Sequence, residues 1–89
     1  MVTVLIPEPL RKYTEGLAAV SLEAATVADV LLRLATDYEG LGTRLIDEAG
    51  NLRPGVTIAV DGRDIRFSGR LDTPTPAAAE VQIVVTMLV

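Results

Sequence analysis

The chain opens with two short apolar runs separated by turn-forming residues. Apolar and β-branched residues at positions 1–6 predict a strand that Pro7-Glu8-Pro9 ends, because proline cannot donate a ladder hydrogen bond. Residues Leu10–Gly16 are predicted to form a loop, and Thr14-Glu15-Gly16 favours a turn. Side chains then alternate over Ala18–Leu22, which predicts a second strand and therefore an antiparallel hairpin.

The strongest pattern in the chain is helical. Thr26 is a good N-cap, and Asp29 places a carboxylate near the positive end of the helix dipole. Apolar residues then recur at helical spacing and form one stripe: Val27, Val30, Leu31, Leu34 and Tyr38. Gly40 predicts the end of this helix, because glycine readily adopts the left-handed conformation of a C-terminal cap.

Shorter elements follow the helix. Residues Leu41–Ile46 favour a helical turn with Leu41 and Leu45 pointing inward, and Asp47–Asn51 favours a turn. Large apolar and small residues alternate over Val56–Val60, which predicts a strand.

Asp61-Gly62 is a strong tight-turn signal directly after that strand. Arg63–Arg66 is therefore expected to be a short return strand, and Phe67–Pro76 a connection. The last run, Val81–Val89, is almost continuously apolar and β-branched, as in strands from the middle of a sheet. The order β-β-α-β-β-β predicts an α+β fold with one sheet covered on one face, in a single domain over residues 1–89.

Composition narrows the possible chemistry. The 89 residues are 49% hydrophobic and carry a net charge of −4, which argues for a globule and against unaided binding to nucleic acid or anionic membranes. The chain has no His and no Cys, which excludes Ser-His-Asp and Cys-His nucleophiles and imidazole or thiolate metal sites. We expect no signal peptide, no membrane span and a cytoplasmic location.

Few side chains remain as candidates for chemistry. Asp47 and Glu48 form a carboxylate pair, but a turn without a neighbouring base or nucleophile favours solvated surface charges. Asp61 and Asp64 flank a hairpin turn and lack the oxygen-rich spacing of a calcium loop.

A basic cluster stands out in the second half. Arg63, Arg66 and Arg70 fall within eight positions, and such a patch is able to dock an acidic partner surface. The alternative is that they are charges on an exposed edge strand, where they discourage stray pairing. Phe67 is expected in the core rather than at a contact.

In its motifs and their order the whole chain resembles the ubiquitin-like sulfur carriers of the ThiS/MoaD family, and most of all those used in thiocarboxylate-dependent cysteine synthesis. The residues that carry this resemblance, in chain order, are Val2-Thr3-Val4, Ile6-Pro7, Leu10-Arg11, Tyr13-Thr14, Gly16, the Thr26 helix, Arg44-Leu45, Asp47, Leu52-Arg53-Pro54, Val60-Asp61-Gly62, Asp64-Ile65-Arg66-Phe67-Ser68-Gly69, Leu71 and Glu80-Val81-Gln82-Ile83. The resemblance implies a β-grasp fold, a mixed sheet packed on one main helix.

The resemblance also implies a mechanism without a catalytic side chain or a cofactor. An ATP-dependent enzyme of the ubiquitin-activating type adenylates the terminal carboxylate of the carrier. Sulfur then replaces one oxygen, and the thiocarboxylate donates sulfide to an acceptor. The implied partners are that activating enzyme or a sulfur-accepting synthase subunit. Glycine suits the family's terminal Gly-Gly because the tail must thread a narrow channel.

The printed sequence departs from the family at this tail. The register set by Val81-Gln82-Ile83 places the family's diglycine from about Val89 onward, whereas the residues there read Met87-Leu88-Val89. Three interpretations stay open: a diverged family member that has lost sulfur transfer, a working carrier whose tail is missing from the printed sequence, or a structural or regulatory β-grasp subunit. The sequence therefore predicts a non-enzymatic sulfur-carrier-family protein. The alternative is an interaction module that meets a protein partner through Arg66, Phe67 and Met87-Leu88-Val89.

Overall fold

A computed structural model describes residues 1–85 and shows a five-stranded sheet packed against two helices. The strands and helices, in chain order, are β1 (Val2–Leu5), β2 (Ala19–Leu22), α1 (Val27–Asp37), α2 (Glu39–Leu45), β3 (Val56–Val60), β4 (Arg63–Asp64) and β5 (Glu80–Val85). Short 3₁₀ helices occupy Glu8–Tyr13, Ile65–Phe67 and Arg70–Asp72. The predicted order β-β-α-β-β-β and the α+β class are confirmed.

The sheet has the strand order β2-β1-β5-β3-β4, which places β5 at its centre as predicted. β5 runs parallel to β1 and antiparallel to β3, so the sheet is mixed. The turn between β3 and β4 has positive φ at both Asp61 and Gly62, as a two-residue hairpin turn requires. This topology is the ubiquitin-like β-grasp that the resemblance implied.

One face of the sheet forms the core with α1. Side chains on successive strand positions point to opposite faces, and one set from each of the longer strands is buried. The buried strand residues are Val2, Val4, Leu22, Ile58, Val60, Val81 and Ile83. They share one apolar cluster with Val27, Val30, Leu31 and Leu34 of α1, which are the first four residues of the predicted stripe.

The start of α1 is capped as the sequence predicts. The Thr26 hydroxyl accepts a hydrogen bond from the Asp29 N–H at 3.3 Å, and the Asp29 carboxylate accepts one from the Ala25 N–H at 3.2 Å. These bonds satisfy backbone donors that have no partner inside the helix.

The predicted end of α1 at Gly40 is wrong. The helix stops at Asp37 because the backbone of Tyr38 turns away with φ −136°, and Gly40 lies inside α2. A Cβ on Gly40 would lie 2.9 Å from Cδ1 of Tyr13, so glycine here permits close packing against the ring. The predicted inward positions of Leu41 and Leu45 are confirmed, since both are fully buried.

Gly42 brings the two helices together even more closely. A Cβ at this position would lie 2.5 Å from Cβ of Ala35 in α1, a distance that side chains do not tolerate. The absence of a side chain therefore lets α2 pack directly on α1, and the pair covers the sheet.

Three other boundaries differ from the predictions. The predicted loop Leu10–Gly16 begins inside the 3₁₀ helix Glu8–Tyr13, which starts at the prolines because their fixed φ suits a first helical turn. The return strand stops at Asp64, whose carboxylate accepts the Arg66 N–H at 2.8 Å and starts the next 3₁₀ helix. The last strand begins at Glu80, and its described part reaches Val85.

The connection between β4 and β5 is fixed across the start of α1. The Val27 N–H donates to the Thr73 carbonyl at 3.0 Å, and the Thr75 N–H donates to the Ala25 carbonyl at 2.9 Å. Thr73 and Thr75 are buried, and each hydroxyl donates to a backbone carbonyl oxygen. This irregular segment is therefore held in place by backbone contacts.

Candidate functional site

The end of β5 is the part of the structure that leads to the C-terminal residues. Val85 lies opposite Val56 at the start of β3, while Gln82 lies opposite Leu5 at the end of β1. The central strand β5 therefore pairs with β1 as far as Gln82 and with β3 as far as Val85. The predicted tail residues Met87, Leu88 and Val89 lie outside the described residues.

The face of the sheet opposite the helices is open. The residues in register on this face are Thr3, Leu5, Ala19, Ser21, Thr57, Ala59, Asp64, Glu80, Gln82 and Val84. Around the end of β5 they are small or uncharged, and the Val84 side chain is 42% exposed. Such a surface allows a partner to approach the sheet closely, because few charges have to be desolvated.

A groove of about 490 Å³ runs beside the end of β5, on the side of β1 and β2. Pro7, Arg11 and Ala18 form one wall, and Gln82 and Val84 form part of the other. Nε of Arg11 donates to the Ile6 carbonyl at 3.1 Å, which fixes the arginine at the groove. A cationic side chain is thus held beside the last described residues of β5.

Arg66 and Phe67 lie on the far side of β3 from β5, directly after β4. Phe67 is 81% exposed, so its expected core position is wrong. The 3₁₀ turn that begins after Asp64 directs only Ile65 inward and leaves the following ring in solvent. The Arg66 guanidinium lies 5.8 Å from the centroid of this ring.

Arg66 is held by a forked ion pair. Its Nε and Nη2 donate to the Asp64 carboxylate at 3.1 and 2.9 Å. These side-chain bonds, followed by the bond from the Arg66 backbone N–H, hold the pKa of Asp64 below its usual value. The same pairing raises the pKa of Arg66. Both groups are surface groups, so the pair orients the arginine more than it stabilises the fold.

The other acidic candidates have structural partners. Asp47 Oδ1 accepts the N–H groups of Ala49 and Asn51 at 2.9 and 3.0 Å, as turn-forming aspartates do. Asp61 Oδ1 accepts the Glu80 N–H at 2.9 Å and ties the hairpin turn to β5. Within residues 1–85, no group of three or more acidic side chains is arranged to hold a metal ion, and no helix is long and apolar enough to cross a membrane.

The open face was not among the site residues predicted from the sequence. The available signal was the period of two: Thr57 and Ala59 in β3, and Gln82 and Val84 in β5, alternate with buried residues. In β5 this signal is masked, because Val84 is as apolar as its buried neighbours.

The chain is similar in sequence to known proteins. The model of the ThiS family matches residues 4–87. The sulfur carrier protein CysO of Mycobacterium tuberculosis is 42% identical over 74 residues, which cover 81% of this chain and 80% of that protein. The small archaeal modifier protein 3 of Haloferax volcanii is 44% identical over 41 residues, 46% of this chain and 44% of that protein.

Solved structures agree over the whole length. The crystal structure of Mycobacterium tuberculosis CysO superimposes with a TM-score of 0.89 at 37% identity, covering 98% of this chain and all of that one. A crystal structure of the BexX/CysO complex of Amycolatopsis orientalis gives a TM-score of 0.92 at 29% identity, covering 100% of this chain and 99% of the matched chain.

Proposed function

The chain belongs to the ThiS family of ubiquitin-like sulfur carriers, and we propose that its reactive group is a C-terminal carboxyl group rather than a side chain. The observation that carries this proposal is the position of β5. This central strand pairs with β1 over Glu80–Gln82 and with β3 as far as Val85, which fixes the residues that precede the C-terminal segment. The composition supports it, since a chain without His or Cys has no Ser-His-Asp or Cys-His nucleophile.

The proposed reaction has three steps. The terminal carboxylate attacks the α-phosphorus of ATP, the new oxygen–phosphorus bond displaces pyrophosphate, and an acyl adenylate results. A sulfide donor attacks the acyl carbon, AMP leaves with the original carboxylate oxygen, and a thiocarboxylate remains. The thiocarboxylate sulfur then displaces a leaving group from an acceptor, and water cleaves the resulting acyl–sulfur bond, which restores the carboxylate and leaves the sulfur on the acceptor. The carrier contributes the acyl group, while the partner supplies catalysis and binds ATP, so the chain itself is not an enzyme and holds no cofactor.

The partner that fits these steps is an ATP-dependent enzyme of the ubiquitin-activating type, followed by a sulfur-accepting synthase subunit. The relative in the Amycolatopsis orientalis structure is in a complex with BexX, which supports binding of a carrier to a protein partner. We assign contact with the activating enzyme to the open face around Val84 and the groove at Arg11. We expect the activating enzyme to bind the tail residues Met87, Leu88 and Val89. We place this reaction in the cytoplasm.

Intact mass spectrometry tests the proposal. The printed 89-residue chain and the same chain extended by Gly-Gly are incubated with the cognate activating enzyme, ATP and a sulfur source. We expect the extended chain to gain the mass of one sulfur in place of one oxygen, and to gain nothing without ATP. A gain by the unextended chain as well would show that Val89 itself serves as the acyl end. If neither chain gains mass while both remain folded, the proposed reaction is wrong.

Two variants of the extended chain test the assigned surface. Val84→Asp adds a charge to the open face beside β5, whereas Arg33→Gln changes an exposed position on α1. We expect Val84→Asp to lower kcat/KM of activation about tenfold or more, as loss of a central contact does, with Arg33→Gln unchanged. Equal rates for both variants would exclude the open face as the contact.

The alternative of an interaction module that carries no sulfur is not favoured, because the relatives of highest coverage are named as sulfur carriers. The mass experiment separates the two. Such a module would bind its partner through Arg66, Phe67 and Met87-Leu88-Val89 and would gain no sulfur.

A further inference from the structure

A second recognition surface lies on the other side of β3. β4 pairs only with Ala59 and Val60, so within residues 1–85 the first half of β3 has no strand on the side away from β5. Two adjoining depressions of about 480 and 460 Å³ occupy this space and share Leu52, Ile65 and Arg66 in their walls. We call the two together the arginine cleft.

The floor and rim of the arginine cleft differ in character. Leu52, Ile65 and Leu71 supply apolar surface, and Arg53, Arg66 and Arg70 supply positive charge. Two carboxylates, Asp64 and Asp72, also line it, which leaves an excess of one positive charge in a chain whose net charge is −4. The cleft is therefore a cationic region on an acidic protein.

Two of the rim arginines have hydrogen-bonded side chains, and the backbone of the third is fixed. Nε of Arg53 donates to the Thr43 carbonyl at 2.7 Å, and Arg66 forks onto Asp64. Arg70 has a left-handed backbone with φ 56°, which Thr73 fixes through its N–H and hydroxyl at 3.1 and 2.6 Å from the Arg70 carbonyl. Groups ordered before binding lose less conformational entropy when a ligand arrives. A non-glycine residue kept in this conformation is also typical of functional positions.

Phe67 adds an exposed aromatic anchor next to the cleft. The ring is 81% exposed and lies against Arg66, and aromatic and arginine side chains are enriched where proteins bind one another. A ring left in solvent beside an apolar floor gives a partner apolar area to bury.

We propose that the arginine cleft, with Phe67 at its edge, binds an extended acidic segment of a partner protein that carries one apolar side chain. Its carboxylates pair with Arg53, Arg66 and Arg70, and its apolar side chain contacts the floor and Phe67. Charge complementarity favours this occupant, since three arginines line the cleft and carboxylates of the partner can pair with them. The inference goes beyond the sulfur-transfer function: the cleft and the end of β5 lie on opposite sides of β3.

Peptide titration followed by NMR tests this directly. The ¹⁵N-labelled 89-residue chain is titrated with a synthetic decapeptide of acidic residues around one leucine, and with a matched peptide of the corresponding amides. We expect saturable shifts at the amides of Leu52, Ile65, Arg66, Phe67 and Leu71 with the acidic peptide. The amide peptide should bind at least fivefold more weakly, and added salt should weaken the binding of the acidic peptide.

Variants of the chain locate the contacts. The titration requires neither ATP, nor an enzyme, nor a reactive C-terminal end, so its result is independent of the proposed function. Replacing both arginines, Arg66→Gln with Arg70→Gln, should weaken binding about tenfold or more, whereas Arg33→Gln on α1 should leave it unchanged. Phe67→Ala, an exposed change that keeps the fold, should also weaken it. The proposal is wrong if the acidic peptide does not saturate, if its shifts lie away from the cleft, or if the double variant binds as the parent does.

Discussion

The two faces of the sheet show how one set of strands serves two purposes. On the covered face the side chains are buried valine, leucine and isoleucine, packed with α1. On the open face the positions in register are mostly small or polar and at least partly exposed. Ile83 and Val84 are adjacent in β5, yet Ile83 is 2% exposed and Val84 is 42% exposed. The covered face therefore stabilises the fold, and the open face is available for contact with a partner.

The difference also shows that apolar character alone does not predict which faces of a strand are buried. After Glu80, β5 is apolar except for Gln82, as strands buried on both faces are. The structure covers only one of its faces, because both helices lie on the same side of the sheet. Val84 on the uncovered side therefore offers apolar area that a partner can bury, which is the contact we propose for it.

The largest expected effect separates the two neighbours in β5. Ile83→Ala should lower the free energy of unfolding by about 2–5 kcal/mol, because it leaves a cavity in the core. Val84→Ala should change it by less than about 1 kcal/mol, since the side chain is partly in solvent. Urea unfolding of both variants measures the contrast. Equal losses would mean that the two faces are buried alike.

A smaller effect tests how the covered face is closed. Gly42→Ala should destabilise the chain by about 1–3 kcal/mol, because its Cβ overlaps Ala35 and pushes α2 from α1. Thr43→Ala, at the next and exposed position, is the control and should stay within about 0.5 kcal/mol. If the helices were free to separate, the higher helix propensity of alanine would instead make Gly42→Ala stabilising.

The smallest effect concerns the open face, where Asp64 pairs with Arg66. The pKa of Asp64 is lowered in the folded chain, so the pair stabilises the fold at pH values above the usual aspartate pKa of about 3.9. This contribution to stability is lost as the pH falls through the pKa of Asp64 in the folded chain. The stability difference between the parent and Asp64→Asn should therefore be constant near neutral pH and shrink below about pH 4. Unfolding curves at several pH values measure it. A difference that grows towards low pH would contradict this pairing.

Much of the fold could be predicted from the chain because its signals are local. The helix α1 is defined by its cap residues Thr26 and Asp29 and by the apolar stripe from Val27 to Leu34, whatever it packs against. The hairpin turn is defined by the backbone preference of Asp61-Gly62 itself. Gly40 was misinterpreted because a glycine is also required where another element approaches closely. Nothing next to it in sequence shows that Tyr13 occupies that space.

The candidate site was harder to predict for the same reason. Arg66 and Phe67 could be singled out as a basic and aromatic cluster, but the exposure of Phe67 follows from the turn that Asp64 starts. The arginine cleft is lined by Arg53, Arg66 and Arg70, because the two-residue strand β4 leaves the space beside the first half of β3 open. The spacing of these arginines in the sequence does not predict this.

The sequence by itself determined the order of the elements, the helix cap, the hairpin turn and the lack of His and Cys, because each depends on residue type and short-range spacing. The tertiary structure decided which face of β5 is covered, why Gly40 and Gly42 have no side chain, and that Phe67 lies in solvent. These depend on what packs from distant parts of the chain, since burial is a property of neighbours in space.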